Sequence, residues 1–118
     1  MMAKRIKDQG FKFLLDFHYS DTWADPSNQE KPAAWDTLNF KELTDSVYIY
    51  SVNVIHAFDS ISALPDMVQI GNEVFNGFLW NQGRLGSTFN TPKHWKQFTG
   101  LLTTASNAIN DGSGHLFN

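Results

Sequence analysis

The chain has 118 residues, 42% hydrophobic and 14% aromatic, which is enough for a packed core in one domain. Nine Lys and Arg against twelve Asp and Glu give a net charge of -3 with no run of either sign, which argues against a dedicated nucleic-acid binder. Ten Phe and four Trp argue against disorder, no apolar stretch approaches the ~20 residues of a membrane span, and the lack of cysteine excludes disulfides and thiolate metal sites.

In chain order, Met1 to Gly10 has basic residues but no apolar core and no cleavage site, so it is not a signal peptide. It reads as the last turns of a helix, with Gly10 just past the end. Phe11–Phe17 is a short apolar run that fits a strand buried on both faces. His18 to Asp36 carries Ser, Asp, Asn, Pro26 and Pro32 and is a long loop holding Trp23 and Trp35. Phe40, Leu43, Val47, Tyr50, Val54 and Phe58 then recur at helical steps. Met67–Gly71 is a second strand, followed by a Gly- and Asn-rich loop from Asn76 to Thr91. Pro92 opens a last helix, whose stripe is Trp95, Phe98, Leu101, Leu102, Ala105 and Ile109, with Trp95 expected in the core. The tail from Asn110 stops just beyond that helix. A chain opening at one helix's end and closing after another reads as a fragment.

Strands alternating with helices predict an α/β fold with a parallel sheet. The long polar loops follow strands and the short connections precede them, the asymmetry of a (β/α) barrel, whose site lies at the C-terminal ends of its strands. A Rossmann-type sheet is the competing architecture, but His18-Tyr19-Ser20-Asp21 and Asn72-Glu73-Val74 are not glycine-rich phosphate loops.

Glu73 follows Gly71-Asn72 at a strand's C-terminal end. A carboxylic acid there can protonate a leaving oxygen if partial burial raises its pKa, or it can simply cap the next turn. Asn72 offers a neutral donor and acceptor for a sugar hydroxyl. Asp16 and His18 end the other strand; His18 could position Glu73 or a substrate hydroxyl with Asp16 orienting it, or be structural. His18, His56, His94 and His115 lack metal-ligand spacing, so neither a metal nor a cofactor is expected. Trp23, Trp35 and Trp80 lie in the loops after strands, where flat rings stack on sugar faces, although Trp35 is expected to pack its own loop. Ser20 lacks the context of a serine nucleophile.

Leu15-Asp16-Phe17-His18-Tyr19-Ser20-Asp21-Thr22-Trp23-Ala24-Asp25-Pro26, Pro32-Ala33-Ala34-Trp35, Val68-Gln69-Ile70-Gly71-Asn72-Glu73 and Gly77-Phe78-Leu79-Trp80 closely resemble glycoside hydrolase family 53, the endo-β-1,4-galactanases. The resemblance implies that residues 1–118 are part of one (β/α)8 catalytic domain, about strands three and four with their helices. It implies hydrolysis of internal β-1,4 links in galactan or arabinogalactan by a retaining, two-carboxylate mechanism. Glu73 would be the acid/base, Asn72 would bond the 2-hydroxyl, and Asp16, His18, Trp23 and Trp80 would line the cleft. A galactan partner and a secreted or cell-envelope location follow from the same resemblance, with no nucleic acid or membrane partner. A non-catalytic carbohydrate-binding remnant and a related barrel glycanase acting on mannan or cellulose are the alternatives.

A complete barrel needs ~250 residues. The strand that carries the family's nucleophilic glutamate therefore has no counterpart here, and the isolated chain is expected to be marginally stable, prone to associate and inactive. Two departures concern loop shape: Asn81 follows Trp80 where the family often has proline, and Ser62-Ala63 stands where a helix-ending glycine is common.

Overall fold

The computed structural model describes residues 1–117. The first helix, α1 (Met2–Asp8), ends as expected. Gly10 takes φ +82°, its N–H donates to Lys7 O at 2.9 Å, and the Phe11 N–H donates to Ile6 O at 3.1 Å. These two bonds satisfy the last carbonyls of the helix.

Strand β1 (Leu14–Phe17) pairs in parallel with β2 (Met67–Ile70), in the register Leu14–Met67 to Phe17–Ile70. The apolar run from Phe11 is longer than the strand because its first residues meet no neighbouring strand. The Phe13 N–H instead donates to the Asp66 carboxylate at 2.9 Å, and the Phe13 carbonyl accepts from the Asp66 N–H at 3.0 Å. Between the strands runs α2 (Phe40–Ser60). Asn39 accepts from the Glu42 N–H and the Glu42 carboxylate accepts from the Asn39 N–H, both at 2.9 Å, a reciprocal cap worth about 1 kcal/mol. After β2 comes α3 (Pro92–Gly112), with Pro92 in its first turn and the Thr91 hydroxyl accepting from the His94 N–H.

The two long helices pack on each other and on one face of the sheet. Phe17, Leu43, Val47, Ile55, Phe78, Leu79, Phe98, Leu101, Ala105 and Ile109 form the core, with Leu15, Val68 and Ile70 against it. Each fully buried Leu, Ile or Phe contributes about 1.5–3 kcal/mol. The alternate strand residues face the other way: Leu14 is 48% and Met67 61% exposed. The expectation of strands buried on both faces is therefore corrected, because among the described residues helices cover one face only.

Two further expectations shift. The buried row of α2 is Leu43, Val47, Ser51 and Ile55, whereas Tyr50 is exposed and lies edge-on to Trp35, Phe17 and Tyr19. Trp95 is not core but exposed; its indole N–H donates to Asn90 Oδ1 at 2.7 Å, and its ring meets Phe98 edge-on. Trp35 packs its own loop against the core, as expected. The architecture is thus α/β, with two consecutive βα units of the kind that build a (β/α)8 barrel.

Candidate active site

Because Phe17 pairs with Ile70, the residues that leave the two strands start side by side. Strand β1 itself carries Asp16 and the loop after it delivers His18, while the loop after β2 delivers Asn72 and Glu73. The first loop folds back through a turn at Asp25–Asn28, where each backbone N–H donates to the other residue's carbonyl. The Asn28 amide and the Ser27 N–H also bond the Asp25 carboxylate and hold its pKa below the ordinary value.

Ala24, fully buried, lies at the centre of this arrangement. Its N–H donates to His18 Nδ1 at 3.0 Å, and its carbonyl accepts from Asn72 Nδ2 at 2.8 Å. Accepting at Nδ1 places the neutral imidazole's proton on Nε2, which lies 3.4 Å from Asp16 Oδ2. Asn72 Oδ1 accepts from Gln69 Nε2 at 3.3 Å. Both polar ends of Asn72 are thereby oriented, and one Nδ2 hydrogen remains for a ligand.

Glu73 lies just beyond. Gly71 has φ +78°, and a Cβ there would meet Val74 Cγ1 at 2.6 Å, so only glycine fits. Glu73 itself sits in the left-handed region at φ 51°, ψ 51°, a conformation that costs a non-glycine residue about 1–2 kcal/mol. It occupies the N-cap position of a short 3-10 turn (Val74–Asn76), yet its side chain makes no capping bond. The capping alternative is therefore not what the side chain does. Nor is the carboxylate partly buried, the condition for the acid role. It is exposed, three residues beyond the end of β2.

The tryptophans divide. Trp23 is 75% exposed and meets His18 edge-on, with ring centres 4.8 Å apart. Trp80 is half-buried; the Arg84 guanidinium covers one ring face at 4.0 Å, and the indole N–H donates to Asn76 O at 3.0 Å. Beside His18 a hollow of about 310 Å³ is lined by Tyr19, Ser20, Asp21, Trp35 and Tyr50. Tyr19 closes its inner wall, its hydroxyl 2.7 Å from that of Ser51, and burial pushes the phenol's pKa far above the ordinary range. Among the described residues no cluster of three or more His, Asp or Glu is arranged to hold a metal ion.

Sequence reasoning missed Ala24 and Gln29. Gln29 is 1% exposed, and its Nε2 donates to Asn72 O at 2.7 Å, with Glu73 O at 3.5 Å. A polar residue in a polar loop gives no sign that it will be buried; only the return of the chain at Asp25–Asn28 puts it there.

The glycosyl hydrolase family 53 model matches residues 1–116. An arabinogalactan endo-beta-1,4-galactanase A of Emericella nidulans is 38% identical over 95% of this chain and 30% of its own length. An uncharacterized protein of Niallia circulans is 50% identical over 86% of this chain and 28% of its own. Among solved structures, the Ignisphaera aggregans GH53 catalytic domain superposes with a TM-score of 0.85 at 48% identity, covering 97% of this chain and 30% of that one. The chain thus spans under a third of the length of the relatives it matches. With two βα units, the Asn72-Glu73 pair after the second strand and this likeness along nearly its whole length, the chain belongs to glycosyl hydrolase family 53.

Proposed function

We propose that residues 1–118 are part of a single catalytic barrel that hydrolyses internal β-1,4-galactosidic bonds of galactan or arabinogalactan with retention of configuration. Glu73 is the general acid/base. Its carboxyl group gives a proton to the departing glycosidic oxygen while a second carboxylate, supplied from outside this chain, attacks the anomeric carbon from about 5–5.5 Å away. The Glu73 carboxylate then takes a proton from the water that attacks the same carbon and releases the sugar. The open side of Glu73 is where the rest of a barrel would lie. Its closure supplies the partial burial that an acid needs at neutral pH.

Asn72 spends one Nδ2 hydrogen on Ala24 and directs the other to the substrate's 2-hydroxyl, a bond that strengthens as charge develops at the transition state. His18 is fixed at Nδ1 by the Ala24 N–H, and its Nε2 proton, 3.4 Å from Asp16 Oδ2, is the one it offers to a neighbouring hydroxyl. Trp23 and Trp80 present ring faces to the sugars. The substrate is a large extracellular polymer, so the enzyme works outside the cell; no helix among the described residues is long and apolar enough to cross a membrane.

The observation that carries this reading is the link from His18 through Ala24 to Asn72, which ties the polar groups of two strand ends into one cluster beside Glu73. The test places this segment in a full barrel by exchanging it for the matching part of the Ignisphaera aggregans domain. Purified galactan, mannan and cellulose are then assayed for released oligosaccharides. Release from galactan alone, abolished by Glu73→Gln, supports the proposal; release from mannan or cellulose instead would transfer the substrate assignment to another glycan.

A further inference from the structure

Gln29 is a buried amide with an incomplete set of partners. Its Nε2 donates to Asn72 O, and its backbone carbonyl accepts from the Trp80 N–H at 2.9 Å. Its Oε1 is buried with no partner among the described residues. A buried unpaired oxygen weakens a fold. Stability of the loop alone is therefore a poor account of this residue, and what its Nε2 and carbonyl hold is the better one. They hold the two segments that carry Glu73 and Trp80. The Asn72 and Glu73 carbonyls belong to a turn in which Glu73 is kept in the left-handed region, and such a conformation persists only where neighbours fix it.

We propose that Gln29 is a positioning residue for catalysis: it clamps the backbone of Asn72-Glu73 and joins that turn to the Trp80 loop, so that the acid/base and the tryptophan platform keep one spacing. This rests on Glu73 being the acid/base. Displacing a catalytic group by about 1 Å costs on the order of 100-fold in rate. The loss has a signature, because a misplaced acid matters most when the departing group is a poor one and little when it leaves without a proton.

The test uses Gln29→Met, which removes the donor, and Gln29→Glu, which keeps the shape, in the exchanged full barrel. Each is assayed on galactan and on an aryl β-galactobioside with an acidic phenol as leaving group. The expected result, read in kcat/KM because that reports the bond-cleaving step alone, is a loss of about 100-fold on galactan with the aryl substrate retained within about ten-fold. Equal losses on both substrates, no loss on either, or unfolding of both variants would overturn the inference. Amide exchange in the 118-residue chain gives a reading independent of activity. The Trp80 N–H should exchange about ten-fold faster in Gln29→Met while amides of α2 and α3 keep their protection; unchanged protection at Trp80 also overturns it. A parent barrel without galactan cleavage would count against the galactanase reading, and the exchange result would then decide the role of Gln29.

Discussion

His18 and Asn72 leave different strands and are joined through one intervening residue: the Ala24 N–H donates to the imidazole, and the Ala24 carbonyl accepts from the amide. Two candidate site residues thus share a support that is itself fully buried. His18→Ala leaves the Ala24 N–H without its acceptor, and a buried unpaired donor costs about 1–3 kcal/mol. Denaturant unfolding of the variant against the parent measures this. A difference below about 0.5 kcal/mol, the range of an ordinary surface change, would mean that the bond fixes nothing.

Glu73 combines exposure, an unused side chain and a strained backbone, so activity and stability should move in opposite directions there. Glu73→Gln should leave unfolding within about 0.5 kcal/mol of the parent, because the carboxylate bonds no described residue. In the full barrel the same change should lower galactan hydrolysis about 100- to 10,000-fold, the range for loss of a general acid/base. Glu73→Gly should abolish activity and yet gain about 0.5–1 kcal/mol by relieving φ 51°. An equally stable or weakened glycine variant would mean that the conformation carries no strain.

Ser62 offers a parallel test without any role in the site. Helix α2 closes with the Ser62 N–H donating to Asp59 O at 2.9 Å and the Ala63 N–H to Phe58 O at 3.0 Å, the same pair of bonds that closes α1 around Gly10. At α2 the left-handed position is filled by serine at φ 53°, exposed and with no side-chain bond to any described residue. Ser62→Gly should raise stability by about 0.5–1 kcal/mol. Thermal melting decides it, and a lower midpoint would refute the expectation.

Gly10, Pro92 and the two apolar stripes made the helices readable, because capping and a period of 3.6 are local properties. The place of Asn72 and Glu73 just after a strand was readable for another reason: an apolar run and the glycine that ends it mark the strand's end. What could not be read locally was decided by contacts between segments. Ser51 is buried because Tyr19 of the first loop covers it, the two hydroxyls 2.7 Å apart, while Tyr50 beside it stays exposed. Trp95 looks like core on the helix stripe, yet its indole reaches out to Asn90. The burial of Gln29 depends on where its loop returns, and no pattern of residue types records that.

Asp66 ties the N-terminal helix to the sheet. The Lys7 ammonium, 3.0 Å away, and then the Phe13 N–H hold its pKa below the ordinary carboxylate value. A depressed carboxylate stabilises the fold above its unfolded pKa, about 3.9, and that contribution disappears as the pH falls through the lower folded value. Asp66→Asn should therefore be less stable than the parent at neutral pH, with the gap closing as the pH is taken below about 4. A gap that stays constant from neutral to acid pH would exclude the linkage.

The open face of the sheet governs how the chain behaves by itself. Leu14 and Met67 are paired neighbours in the register and are both exposed, and Phe11, three residues before Leu14, is 68% exposed. Short strands with bare backbone edges and apolar side chains invite pairing with another chain. The 118-residue chain should accordingly associate as its concentration rises. Leu14→Lys with Met67→Lys should reduce that association, because charge on an open face opposes stacking, while changing the unfolding free energy by less than about 1 kcal/mol, since neither side chain contributes to the helix-covered core. Sedimentation velocity across a concentration series distinguishes the cases. A parent that stays monomeric throughout would show that the open face is not adhesive, and association surviving both lysines would move the contact to the strand edges instead.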